Sequence, residues 1–176
     1  MSSSLPSFED LFRRAECSAV HLEMRDVYAV KDEGADFARW RATGQADVDP
    51  DSEHWRPWVA MLQDAVKRGI RVRRARIVSM PVTDHIRYEY ALTTVNVFAG
   101  EAVRWLSRRG ASDIALPGID FWLFDGKYVR INHFTGDGDS AEEPFEDSDD
   151  PALAQLCATS FEAVWRRATP HDAFVI

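Results

Sequence analysis

Residues 55–78 read WRPWVAMLQDAVKRGIRVRRARIV, and this stretch decides the fold class. Trp55, Trp58, Val59, Leu62 and Val66 recur at helical spacing, which predicts an amphipathic helix running to Arg68. Asp51 or Ser52 can cap its start, Pro57 falls in or near the first turn where it is tolerated, and Gly69 sits where a helix-ending glycine belongs. Ile70–Val78 follows at once and is β-branched enough for a strand. Its alternation breaks between Val72 and Ile77, which predicts a bulge or burial on both faces.

Working outward, Ser7 caps a short helix over Phe8–Glu16. In SAVHLEMRDVY, Val20, Leu22 and Met24 alternate with His21, Glu23 and Arg25, the pattern of a strand with one buried face. Residues 33–43 suit a short helix closed by Gly44. Downstream, Thr83 or Asp84 caps a helix from His85 to about Val95, Asn96–Gly100 interrupts it, and Ala102–Leu106 is short enough for a strand. Asp125-Gly126 between the aromatic-rich runs of FWLFDGKYVRINHF is the strongest hairpin signal in the chain. Asp149 or Asp150, with Pro151 at the first helical position, opens a last helix striped by Leu153, Leu156, Cys157, Phe161, Val164 and Trp165. Interleaved strands and helices in this order predict an α/β fold: a mixed sheet flanked by helices on both faces, preceded by a short helix–strand extension.

The chain has 176 residues, the size of one domain, with 45% hydrophobic residues and six Trp, so most of its length is not disordered. Its apolar runs are too short to span a membrane, and its first residues lack the apolar core of a secretory signal. Two Cys make neither a disulfide framework nor a metal cluster, which points to a reducing cytoplasm. A net charge of −8 argues against whole-surface binding to nucleic acid or anionic lipid. Charge is nonetheless uneven: six of the ten residues Lys67–Arg76 are basic, and eight of the fourteen residues Asp137–Asp150 are acidic. Strand geometry splits the basic run between two faces, so a phosphate-gripping patch is the lesser reading beside paired or solvated charges. The acidic run reads as a solvated loop, or as a contact for a basic partner.

Phosphate-cradling glycine loops, HExxH, CxxC and GxSxG are all absent, and the five His have no ligand spacing. No cofactor or metal is therefore expected.

The stretch from Trp55 to Trp165 resembles a phospholipase-D-like domain. The helix ending AVKRG leads into IRVRRARIVS, a second helix and GEAVRWL follow, and then come FWLFDGKYVRINHF and the closing helix DDPALAQLCATSFEAVWRRA. The whole chain is also similar to a family of uncharacterised actinobacterial proteins sharing WRPW, RYE, AGE after Asn96, RWL, DFWLFD and FEAVW. Members of that family resemble accessory partners encoded near helix-turn-helix regulators. The phospholipase-D motif is HxKxxxxD, in which His attacks phosphorus and Lys stabilises the phosphate charge. With its Asp placed at Asp125, the His position falls on Gly118 and the Lys position on Asp120. No HxK occurs anywhere in the chain. The resemblance thus implies the scaffold without the chemistry: a non-catalytic cytoplasmic domain that partners a regulatory protein with a helix-turn-helix domain, with a homodimer as a further option. The alternatives are a phosphodiesterase or nuclease with relocated residues, His133 among them, or a direct DNA-binding protein.

Arg87, Tyr88, Asn96, Glu101, Arg104, Asp120, Trp122, Asp125 and His133 are the candidate ligand-binding residues. In the implied scaffold they approach the strand ends where the lost active site lay. The blander reading is a satisfied structural network with Arg104 paired to Glu101 or Glu89, and His133 as a hydrogen-bonded core histidine.

Overall fold

Ser7 forms a capping box with Asp10 and starts α1 (Phe8–Arg14), which ends before the expected Glu16. The computed structural model describes residues 5–28 and 34–176. The chain continues through β1 (Ser18–Glu23), α2 (Gly34–Thr43), α3 (Arg56–Lys67), β2 (Arg71–Val78), α4 (Asp84–Phe98) and β3 (Ala102–Ser107). Then come β4 (Phe121–Phe124), β5 (Tyr128–Phe134), β6 (Ser140–Ser148), α5 (Pro151–Arg167) and the two-residue β7 (Thr169–Pro170). The start of the helix expected over 33–43 lies outside the described residues at position 33.

The fold is α/β, built on a seven-stranded mixed sheet of order β6-β5-β4-β1-β2-β3-β7. β1, β2 and β3 are parallel, and β4, β5 and β6 continue as antiparallel neighbours. Helices cover both faces. α5 packs Cys157, Phe161 and Val164 against Val20, Leu22, Ala75, Ile77, Phe121, Leu123 and Val129. On the other face α1, α3 and α4 bring Leu11, Phe12, Leu62, Ala65 and Val95 onto Ala19, Val72, Trp122 and Phe124.

β2 is unbroken in register with both neighbours, so two-sided burial and not a bulge explains its irregular pattern. Three other expectations are corrected. β1 is buried on both faces, because α3 and α4 also roof the side carrying His21 and Glu23. The acidic run is no loop over most of its length: residues 140–148 form the edge strand β6. Asp147 is drawn in by Arg130, at 2.7 Å, and by the Tyr128 hydroxyl, at 2.6 Å, while Phe145 packs edge-on against Phe8. The exposed Glu142, Glu143 and Glu146 then suit an edge, where like charge discourages further pairing. α4 also runs past the expected break at Asn96, to Phe98.

From β1 the chain crosses to β2 and β3 on one side, and returns on the other side as β4. Such a reversal opens a crevice at the carboxyl end of the first strand.

Candidate functional site

That crevice holds about 310 Å³ beneath α3 and α4. Its floor is the sheet itself. Strand alternation places His21 and Glu23 of β1, Arg74 and Arg76 of β2, Trp122 of β4 and Asn132 of β5 on one face. Register then orders them. His21 stands between Arg74 and Trp122. Glu23 stands beside Arg76, and Asp120, just before β4, bonds across to Asn132 through the backbone. Trp55, Trp58, Phe8, Phe134 and Phe145 line the walls, and α4 contributes Glu89, Leu92 and Asn96.

The charges are interlocked. Arg74 donates to Glu23 and to Glu101, both at 2.9 Å, and Asn96 donates to the other oxygen of Glu101 at 2.7 Å. Arg76 donates to Glu89 at 2.6 Å, and its Nε lies 2.7 Å from Glu23 Oε2 but too far off line to form a hydrogen bond. Burial opposes charge on both guanidiniums, but Glu23, Glu89 and Glu101 outweigh it and hold both above the ordinary arginine value. Breaking one partner of such a buried set leaves an uncompensated charge, at about 3–5 kcal/mol.

Besides the Arg76 Nε–Glu23 Oε2 contact, which is an ion pair without a hydrogen bond, two residues on the floor carry buried polar atoms with no partner at all. Neither His21 nitrogen has a hydrogen-bond partner, although the residue is only 6% exposed. Its Nδ1 is 3.6 Å from Glu23 Oε1, beyond hydrogen-bond reach. Burial, then Arg74 and Arg76, hold this imidazole well below its usual pKa, so it is neutral. The Oδ1 of Asn132 is likewise buried without a partner. Asp120 accepts from the Met24 amide at 2.8 Å and from the Tyr28 hydroxyl at 2.6 Å. Burial pushes its pKa up to about 6. Burial, Glu23 and Asp120 together push the Tyr28 phenol well above its usual value.

Of the residues singled out from sequence, Asn96, Asp120 and Trp122 line the crevice, and Glu101 stands behind Arg74. The others do not meet there. Arg87 is exposed on α4, and Tyr88 packs against Phe37 and Trp40 of α2. Arg104 points to the opposite face, over the Trp165 ring, and donates to the Trp165 carbonyl, not to Glu101 or Glu89. Asp125 sits at the β4–β5 turn, where its carboxylate accepts from the amides of Glu16, Cys17 and Ser18. His133 is no core histidine: it lies at the β5–β6 edge and pairs with Glu146 at 2.9 Å. The basic run divides as strand geometry requires. Arg74 and Arg76 enter the crevice, Arg73 turns to Glu162 of α5, and Arg68 pairs with Asp64.

His21, Glu23, Arg74, Arg76 and Asn132 were not among the candidate residues, and Glu89 entered beside them as a pairing partner for Arg104. For His21, Glu23, Arg74 and Arg76 the one signal was polar residues at alternate positions in two adjacent parallel strands, which reads equally as a solvent face. A larger groove of about 700 Å³ lies between α1 and α3. Its charges pair with one another at the surface, Glu9 with Arg13 and Asp64 with Arg68, so the chemistry resides in the smaller crevice. Among the described residues no His, Cys, Asp and Glu cluster could hold a metal ion, and no helix is long and apolar enough to cross a membrane.

Fold and site together define an α/β domain whose mixed sheet carries a polar crevice floored by interlocked charges. The chain belongs to the family described as domain of unknown function (DUF6879), which it matches over residues 6–176. A search of curated proteins finds no match.

Proposed function

We propose that this domain acts by binding, without catalysis, and that the crevice is where it recognises its ligand. The observation that carries the reading is His21, a neutral imidazole stacked on Trp122 with both nitrogens unpartnered. Leaving such a group unsatisfied costs about 1–3 kcal/mol, which a ligand recovers when it supplies the missing hydrogen bonds. Phosphoryl transfer of the phospholipase-D kind needs His and Lys together, and the crevice is lined by one imidazole and no lysine.

The rest of the proposal draws on the resemblances in the sequence. A phospholipase-D-like scaffold is supported by the order of glycine-ended helix, strand, hairpin and closing helix. The resemblance to actinobacterial proteins supports a cytoplasmic accessory partner of a helix-turn-helix regulator. A stoichiometric protein recovered by pull-down from host lysate tests that setting.

The crevice is tested by thermal unfolding of the purified chain in a low-molecular-weight fraction of host extract. A ligand near a hundred times its Kd stabilises by about 2.7 kcal/mol, which raises Tm by roughly 5–10 °C in a domain of this size. His21→Phe is expected to abolish the rise. No rise in extracts from several growth phases contradicts the reading.

A further inference from the structure

We propose that the crevice takes a planar cation that donates hydrogen bonds: an amidinium, a guanidinium or a protonated amino-heterocycle. This rests on the crevice being a binding site and adds the chemistry of its ligand.

Charge comes first. Glu23, Glu89 and Asp120 line the crevice against Arg74 and Arg76, and Glu101 stands behind Arg74. Each arginine is already engaged by two carboxylates, Arg74 by Glu23 and Glu101, and Arg76 by Glu23 and Glu89. An incoming anion finds no free guanidinium and meets an excess of negative charge, whereas a cation is drawn in.

Shape comes second. His21 and Trp122 are stacked at 4.3 Å between ring centroids and 19° between planes, so each covers one face of the other and both are buried. The aromatic surface open to a ligand is that of Trp55, Trp58 and Phe134, which line the crevice and are only partly buried. Flat cations favour such faces, because the ring quadrupole attracts them. A volume of about 310 Å³ suits a one- or two-ring ligand or a single inserted side chain.

The crevice also holds unmet hydrogen-bonding capacity. The bare nitrogen of the neutral His21 ring and Asn132 Oδ1 are acceptors with nothing to accept from. A quaternary ammonium has no N–H and leaves them unsatisfied; a planar cation with several N–H groups reaches them while stacking.

The same chemistry has two sources, a free small molecule or an arginine side chain of a partner. Isothermal titration of the intact chain with 2-aminobenzimidazole, N-acetyl-argininamide and benzoate separates them. We expect saturable binding of at least one cation, about tenfold or more tighter than benzoate, and the cation preferred identifies the source. His21→Phe and Asp120→Asn, each checked for a cooperative melt, are expected to weaken that cation by about tenfold or more. Benzoate binding as tightly as the cations overturns the ligand class while leaving the crevice a binding site. Failure of both cations to saturate below roughly 10 mM also overturns it, and the thermal shift in host extract then decides separately on the crevice.

Discussion

The imidazole of His21 lies in register with Trp122 across the antiparallel β1–β4 pair, and the two rings stack at 4.3 Å. The stack gives the imidazole van der Waals contact but no hydrogen bond. His21→Phe keeps the stacking surface and removes two desolvated nitrogens. The ligand-free variant is therefore expected to be more stable than the parent, by about 1–2 kcal/mol in urea unfolding. A loss of more than about 1 kcal/mol would show that the nitrogens are satisfied after all.

Glu101 has no exposed side-chain surface and answers both Arg74 and Asn96. Glu101→Leu leaves Arg74 with one carboxylate in a buried setting and is expected to cost about 3–5 kcal/mol. Adding Arg74→Met should recover much of that loss, since an apolar pair replaces an orphaned charge. A double-mutant cycle in urea measures the coupling; additive losses contradict the network.

Asp125 holds the start of β1 to the β4–β5 turn through three backbone amides, at a left-handed backbone angle of 52°. Asp125→Ala loses those bonds and strains the turn, so a loss of about 2–4 kcal/mol is expected. Asparagine tolerates that conformation and keeps an acceptor, so Asp125→Asn should lose about half as much or less. Cation affinity in the folded variants should match the parent; a large drop would return Asp125 to the site.

Asp120 carries the pH dependence. Its folded pKa, pushed up to about 6 by burial, exceeds the ordinary carboxylate value of 3.8. Glu23, Arg25 and Tyr28 are the charged and titratable groups around it. The folded state thus binds the extra proton between those values. The contribution of Asp120 to stability is full below the lower value and is lost as pH rises through the upper one. Asp120→Asn should gain on the parent by up to roughly 3 kcal/mol between about pH 4 and pH 7. Urea unfolding across that range reads the difference; a constant difference refutes the shift. Ionised Asp120 also favours a cation, so affinity for 2-aminobenzimidazole should rise through about pH 6 until the ligand itself loses its proton.

Much of the fold was legible in the chain because local signals agreed. Thr83 caps α4, Asp150 with Pro151 opens α5, and Asp125-Gly126 closes the hairpin, each through short-range backbone chemistry. β6 was not legible, since its acids find their partners in Tyr128, Arg130 and His133 of a neighbouring strand. The site was read in part. Asp120 and Trp122 stood out within an aromatic hairpin, and Asn96 and Glu101 beside a glycine. His21 and Arg74 did not, because polar alternation along a strand looks the same whether water or a helix covers it. Only the placement of α3 and α4 over that face makes the difference.

Nitrogen-detected NMR of the imidazoles tests the central claim most directly. A saturating planar cation should shift both His21 nitrogens by several ppm and leave those of His54 and His133 in place. A cation that binds while the His21 signals stay unchanged would locate recognition elsewhere and contradict the account.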